Sequence, residues 1–212
     1  MNSLEFLNHL NNFKTPFVQT KEIAAVLEIT IHSAGKYLES LKKQKFVEKI
    51  ERGKWAIKNA YFDPLQAAEF IVSPNESYIS LQTALFYHGM IEQVPAQIYS
   101  VTIDRTRKIS TPIGDYSFHH CQSDFFTGYN YIKPFLKIAS PEKALVDYFY
   151  FAPTKSRQFT RLPELELPDK FSWKKVFIYC DLITSKRTRS LVMKKMKALK
   201  EKFENKGQRS EN

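Results

Sequence analysis

Residues 20–58 read TKEIAAVLEITIHSAGKYLESLKKQKFVEKIERGKWAIK, and this stretch decides how the rest of the chain is interpreted. Thr20 is a good N-cap for a first helix. The apolar face of that helix consists of Ile23, Ala24 and Leu27. After a short turn, a second helix is expected to begin near Thr30. Apolar residues recur in it at helical spacing and predict a buried stripe of Ile31, Ala34, Leu38 and Leu41.

A two-stranded hairpin is expected directly after the second helix. Residues 46–50 and 55–57 are apolar or alternate between apolar and polar, as strands do. The residues between them include Gly53, which can adopt the positive φ of a turn. A further helix is expected over residues 3–13. This order of three helices and a hairpin predicts a winged helix-turn-helix over residues 1–60.

The polar side chains outside the buried stripe predict a DNA-binding surface. A helix of this size fits the major groove of DNA, and the residues near its N-terminus reach the edges of the bases. We therefore expect base contacts from Thr30, His32, Ser33 and Lys36. Contacts with phosphates or with the minor groove are expected from Lys21, Arg52 and Lys54. The alternative is a helical domain that binds a protein and carries its lysines as ordinary solvated side chains.

The positive charge of the chain lies at its two ends. The 212 residues carry a formal net charge of +10, which favours an anionic partner. Residues 1–60 contain ten Lys/Arg and six Asp/Glu, residues 61–185 contain twelve and thirteen, and residues 186–212 contain ten and three. The neutral middle indicates a domain with a different task, not a nucleic-acid enzyme with a central channel.

Cysteine content and hydrophobic pattern exclude several classes of protein. Cys121 and Cys180 are the only cysteines and belong to no CxxC pattern, so neither a disulfide framework nor a structural zinc site is expected. We expect no signal peptide and no membrane-spanning helix, because no stretch approaches about 18 uncharged apolar residues. The expectation is a cytoplasmic protein without a metal or another cofactor.

Residues 61–204 predict a second, mixed α/β domain, so the predicted class is α+β. Helices are expected at residues 64–71, 80–89, 141–151, 172–184 and 186–204. The hydrophobic period changes to two over residues 97–121, which predicts a small antiparallel sheet, and a further strand is expected at residues 135–139. A loop is expected at residues 154–170 and a disordered tail at residues 205–212.

Two short motifs could carry chemistry. Ser140 and Lys143 fit the S-x-x-K pattern in which a serine at a helix start is the nucleophile, but the S-D-N and K-T-G partner motifs are absent. The role of Ser140 as a helix N-cap explains the residue fully. His119, His120 and Cys121 could belong to a metal site, yet neighbours on a strand point to opposite faces of the sheet. We therefore expect no enzymatic activity.

The helix expected at residues 186–204 is strongly basic around an apolar stripe. The stripe consists of Val192, Met196, Leu199 and Phe203. Such a helix can lie on DNA phosphates, on an acidic partner or on an anionic membrane, or it can pack its stripe and leave its lysines in solvent. No Trp or lipid signal accompanies it, so a membrane is not expected. The candidate phosphate contacts at its start are Lys186, Arg187 and Arg189.

Three stretches of the second domain follow one another in a characteristic order. Residues 78–95 read YISLQTALFYHGMIEQVP, residues 101–120 read VTIDRTRKISTPIGDYSFHH, and residues 138–150 read IASPEKALVDYFY. Behind a winged helix, this order resembles the AbiE antitoxin family, the transcriptional regulators of type IV toxin–antitoxin systems of abortive infection. The resemblance covers residues 4–185.

The resemblance implies a repressor that binds inverted repeats of double-stranded DNA near its own promoter. It also implies an antitoxin that opposes a nucleotidyltransferase-like toxin from the same operon without forming a stable complex. The rival hypothesis is an interaction protein in which residues 61–204 bind a toxin or another partner directly. Inverted repeats suit either a dimer or two cooperating monomers.

Overall fold

The computed structural model describes residues 3–13, 15–58, 62–151 and 164–210. Within these ranges the chain forms a mixed α+β fold, as predicted. The elements in chain order are α1 (Ser3–Asn11), β1 (Phe17–Gln19), α2 (Thr20–Val26), α3 (Ile31–Lys43), β2 (Val47–Glu51), β3 (Lys54–Ile57), α4 (Pro64–Val72), β4 (Ser77–Ile79), α5 (Leu81–Tyr87), β5 (Ile98–Thr102), β6 (Arg107–Thr111), β7 (Gly114–His120), β8 (Tyr129–Lys133), β9 (Leu136–Ala139), α6 (Pro141–Phe151), α7 (Trp173–Asp181) and α8 (Lys186–Ser210).

The first three helices pack on one face of an antiparallel sheet in which β3 lies between β1 and β2. Successive side chains of a strand point to opposite faces, so this small sheet takes part in two cores. The face toward the helices contributes Val18, Val47, Trp55 and Ile57. The opposite face contributes Phe17, Ile50 and Ala56 to the core of the second domain.

Helices α2 and α3 form the helix-turn-helix. Thr30 caps α3, because its side-chain oxygen accepts a hydrogen bond from the backbone N–H of Ser33 at 3.1 Å. The N-cap of α2 is Gln19, one residue before the predicted Thr20. Glu22 accepts a hydrogen bond from the backbone N–H of Gln19 at 3.1 Å and completes a capping box.

The second domain is built on a six-stranded mixed sheet with the order β6-β7-β5-β4-β9-β8. Strands β5 and β7 are parallel, as are β4 and β9, and the other neighbours are antiparallel. The prediction of a small antiparallel sheet over residues 97–121 is therefore wrong in size and in the direction of the β5–β7 pair, whereas the β6–β7 pair is antiparallel as predicted. Alternation along one segment reveals a strand, but parallel pairing depends on contacts between segments that are distant in the sequence.

Helix α4 joins the two domains, because it packs on the face of the N-terminal sheet that points away from α1, α2 and α3. Phe17 stacks on Phe70 with ring centroids 5.5 Å apart. The Lys54 ammonium donates hydrogen bonds to the carbonyl oxygens of Phe70, Ile71 and Ser73 at 3.1, 2.5 and 3.4 Å. These carbonyls belong to the C-terminal end of α4, where the helix dipole favours a cation.

Arg107 of β6 connects the same parts of the molecule. Its Nη2 donates a hydrogen bond to the carbonyl oxygen of Ile71 at 3.2 Å, and its Nη1 lies 3.7 Å from the carboxylate of Glu51 at the end of β2. The bonds of Lys54 and Arg107 attach the β2–β3 hairpin to the second domain, and the Phe17–Phe70 stack attaches the neighbouring strand β1 to it.

Helix α6 carries a buried ion pair between Lys143 and Asp147, one helical turn apart. The Lys143 ammonium also donates to the hydroxyl of Tyr78 at 3.0 Å. The hydroxyls of Tyr78 and Ser80 donate to Asp147 at 3.0 and 2.7 Å. Burial lowers the pKa of Lys143 and raises the pKa of Asp147, and the attraction between the two groups opposes both shifts. These hydrogen bonds connect β4, through Tyr78, to α6.

Helices α7 and α8 pack against α6 and against each other. Val192 and Met196 of the predicted stripe on α8 are buried, and its other two members are partly buried. Helix α8 continues to Ser210, past residue 204, where the prediction ends it. The two cysteines, Cys121 and Cys180, are free and buried, and burial raises the pKa of each thiol to about 12.

Some predictions fall on residues outside the described ranges. The predicted boundary between the domains lies at residues 59–61, and most of the loop predicted at 154–170 lies within residues 152–163. Among the described residues, none of the helices has the length and the apolar character needed to cross a membrane.

Candidate nucleic-acid interface

A groove of about 720 Å³ lies between α3 and the β2–β3 hairpin. The α3 residues that line it recur three and four positions apart and therefore share one helix face. They are Ile31, His32, Gly35, Lys36, Glu39, Ser40 and Lys43. The other wall contains Thr20 from the start of α2 and Lys49, Arg52, Gly53 and Trp55 from the hairpin.

Contacts between the start of α2 and the hairpin hold the second wall of the groove in place. The backbone N–H of Thr20 donates to the carbonyl of Gly53 at 2.9 Å, and the Thr20 hydroxyl accepts from the indole N–H of Trp55 at 2.9 Å. Gly53 has a φ of +76°, which glycine adopts without strain, and it closes the predicted turn. The adjacent Arg52 is exposed at the hairpin tip.

An ion pair joins the two walls of the groove. Lys49 of β2 donates to the carboxylate of Glu39 on α3 at 2.7 Å, and its ammonium lies 5.1 Å from the centre of the Trp55 ring. The hydrogen bond from Lys49 lowers the pKa of Glu39. Because this pair neutralises the one carboxylate among the lining residues, the exposed lysines of α3 and Arg52 leave the groove with a positive charge, which suits a polyanion.

The groove brings together three of the predicted DNA contacts. His32 and Lys36 are exposed one turn apart on α3, and Arg52 is exposed on the opposite wall. Lys21 is exposed in the first turn of α2 but does not line the groove.

Four other predicted contacts have structural roles. The Thr30 hydroxyl donates to the hydroxyl of Ser33 at 2.9 Å within the cap of α3, and neither residue lines the groove. Lys54 is mostly buried and bonded to the end of α4, so its prediction as a phosphate contact is wrong; burial also lowers its pKa. Arg189 donates through Nε to the carbonyl of Ile183 at 2.7 Å, a bond that connects the start of α8 to the loop before it.

The start of α8 leaves two of the predicted contacts accessible. Lys186 and Arg187 are both exposed in its first turn, which contains no acidic residue. Their contact with phosphate stays a prediction.

Ile31 lines the groove, although the sequence pattern places it in the core. The predicted stripe includes Ile31, yet this side chain is 63% exposed, whereas Ala34, Leu38 and Leu41 are buried. Ile31 is the first residue of α3, where the helix extends beyond the core. Helical spacing identifies a face of a helix but does not indicate how far the core covers it. Gly35 also lines the groove, and no motif in the sequence draws attention to it.

The motifs considered for chemistry occupy ordinary structural positions. The Ser140 side chain accepts a hydrogen bond from the backbone N–H of Lys143 at 3.2 Å, which confirms the predicted helix cap. His119 is buried and His120 is exposed, as expected for neighbours on a strand. Across the described residues, no group of three or more His, Cys, Asp or Glu side chains is arranged to hold a metal ion.

This combination of a helix-turn-helix, a hairpin and a basic groove defines a DNA-binding type of domain, and it is compatible with a winged helix. A family model described as FaeA-like protein matches residues 2–57, the part of the chain that forms these elements. That family is a helix-turn-helix domain of the DNA-binding regulator type, so the N-terminal domain is of the kind found in transcriptional regulators. No curated protein matches the chain.

Proposed function

We propose that this protein is a sequence-specific transcriptional repressor that binds inverted repeats near its own promoter. The observation that supports the proposal is the basic groove with His32 and Lys36 on one wall and Arg52 on the other. In this arrangement α3 enters the major groove, where His32 and Lys36 read base edges, while Arg52 contacts phosphate. Lys186 and Arg187 are assigned further phosphate contacts.

A gel-shift titration with the DNA upstream of the protein's own gene tests this role. Lys36→Ala and Arg52→Ala are each expected to weaken binding by about 1–3 kcal/mol, and the effect of Arg52→Ala should shrink as salt is raised. Lys174→Ala, which removes an exposed lysine from α7, is the matched control and should bind like the wild type. If neither groove variant changes the affinity, α3 is not the recognition helix.

The second domain is proposed to act as an antitoxin against a nucleotidyltransferase-like toxin of the same operon. The support is the resemblance to the AbiE antitoxin family. The three stretches that carry it contain most of β4 and all of α5, then the end of β5 with β6 and β7, then the end of β9 and most of α6. Strands from all three stretches are neighbours in the six-stranded sheet. Both proposed roles belong to the cytoplasm.

Growth of cells that express the neighbouring nucleotidyltransferase gene tests the antitoxin role. The wild type and Arg52→Ala are both expected to restore growth, because neutralisation through the second domain does not require DNA binding. Failure of both to restore growth would contradict the antitoxin role. A stable stoichiometric complex on co-purification would favour the rival hypothesis of direct binding through residues 61–204.

A further inference from the structure

We infer that Ile31 contacts the C5-methyl group of a thymine in the bound DNA, and that Gly35 allows α3 to approach the DNA closely beside it. The inference rests on the proposed DNA-binding function and specifies which base this part of the groove selects.

The position of Ile31 is the first observation. An isolated exposed aliphatic residue on a general surface needs no explanation. Ile31, however, lies at the start of the recognition helix and inside the groove, next to His32 and five positions before Lys36 on a basic surface. Residues at the start of such a helix are the ones that reach base edges.

The chemical groups that bases present in the major groove indicate which base Ile31 contacts. An aliphatic side chain offers van der Waals contact and the release of water, but no hydrogen bond. The base pairs present donors, acceptors and one apolar group in the major groove, and that group is the thymine methyl. Ile31 is therefore matched to a thymine, while its polar neighbours are matched to donors and acceptors.

Gly35 is the second, independent observation. It lies one turn after Ile31 on the same face of α3, in the interior of the helix, where glycine is less favourable than alanine. A Cβ built on Gly35 meets no atom within 4 Å apart from the nearby backbone of its own helix, so packing in the protein does not require glycine. The helical backbone does not require it either. The missing side chain leaves space in the groove between Ile31 and Glu39.

The experiment uses the full-length protein and duplexes that it selects from a random-sequence pool. Each thymine of the selected site is then replaced by deoxyuridine, which removes only the C5-methyl group. For the wild type, one replacement is expected to weaken binding about fourfold, the effect of one buried methyl. For Ile31→Ser the same replacement should have no effect. Leu4→Ser is the control, because Leu4 is an exposed aliphatic residue of α1 outside the groove, and it should retain the fourfold effect.

The Gly35→Ala variant is a second test, because it should increase the stability of the protein and weaken its binding to DNA. The variant is expected to raise the melting temperature by roughly 2 °C, because alanine favours the helix. It should also weaken binding to the selected duplex about tenfold, because the new methyl group occupies the space of closest approach. A variant that melts higher and binds as tightly as the wild type overturns the assignment of Gly35.

The possible failures are distinguishable. If duplexes are selected but no thymine replacement separates the wild type from Ile31→Ser, the methyl contact is overturned while DNA binding stands. If no duplex is enriched, the proposed DNA-binding function fails, and the inference fails with it.

Discussion

His119 and His120 are neighbours on β7 with opposite environments. His119 packs beside the rings of Tyr99 and Phe151, and its Nε2 lies 3.1 Å from the hydroxyl of Ser117. Burial lowers the pKa of His119 from its ordinary value of 6.5 to about 4. The unfolded chain therefore takes up a proton on this side chain near pH 6.5, whereas the folded chain does so only near pH 4. The stability that neutral His119 confers is complete above pH 6.5 and declines as the pH falls toward 4.

We expect His119→Phe to flatten the pH dependence of stability. In the wild type, the protonation of this one residue should remove up to about 3 kcal/mol from the free energy of unfolding between pH 6.5 and pH 4. Phenylalanine keeps the aromatic packing and does not titrate. Urea unfolding of both proteins at several pH values across this window measures the difference. Equal slopes for the two proteins would contradict a buried neutral imidazole.

Buried charged residues are the positions that the sequence predicts least well. Lys137 is buried and bonded to Glu69 and Glu76 at 2.8 and 2.7 Å. Burial alone would lower the pKa of Lys137, but these two hydrogen bonds raise it above its ordinary value. Both partners lie more than 60 positions away in the sequence, so no local pattern reveals the site. Lys143 and Asp147 are four residues apart, but exposed ion pairs on a helix surface have the same spacing, so the sequence does not show that this pair is buried.

At the scale of elements, the β2–β3 hairpin places two basic residues in different roles. Arg52 is exposed at the tip beside the groove, whereas Lys54 is bonded to the last carbonyls of α4. The two side chains are two positions apart in the sequence, and the sequence alone assigns both to DNA.

We expect Lys54→Met to lower the free energy of unfolding by about 1–2 kcal/mol, because the end of α4 loses a charged donor. The same change should leave the salt dependence of DNA binding unaltered. Arg52→Met should do the reverse, with wild-type stability and a weaker salt dependence. Urea unfolding and DNA titrations over a range of salt measure the two effects. A reduced salt dependence in Lys54→Met would show that Lys54 contacts DNA after all.

Elements with local signals are the ones that the sequence predicts. The start of α3 near Thr30, the turn at Gly53 and the start of α6 after Ser140 each depend on residues within a few positions. Strands β1 and β4 have three residues each, too few to show a period. The groove is predictable only in part, because helical spacing identifies the outward face of α3 but not the hairpin residues that meet it across the groove.

At the scale of the whole molecule, positive charge is concentrated at the two ends of the chain. Helix α8 begins with Lys186 and Arg187, and both are exposed at a helix N-terminus, where the dipole disfavours cations. Their position costs the helix stability, and their proposed contact with phosphate can be tested directly.

The double variant Lys186→Ala/Arg187→Ala should reduce the slope of log K against log salt for DNA binding by about 2, close to one unit for each phosphate that the variant no longer neutralises. The control is Lys174→Ala/Lys175→Ala, which removes two exposed charges from α7. Titrations of both double variants on one duplex measure the slopes. Equal slopes for the two variants would show that α8 only packs against the domain.

The attachment of the N-terminal sheet to the second domain through Phe17, Lys54 and Arg107 affects how two copies would meet on an inverted repeat. A copy seated on one half-site carries its larger domain at a set angle around the axis of the duplex. The spacer between half-sites then determines whether two such domains face one another. About five additional base pairs, half a turn of B-DNA, would rotate one of them to the far side of the double helix.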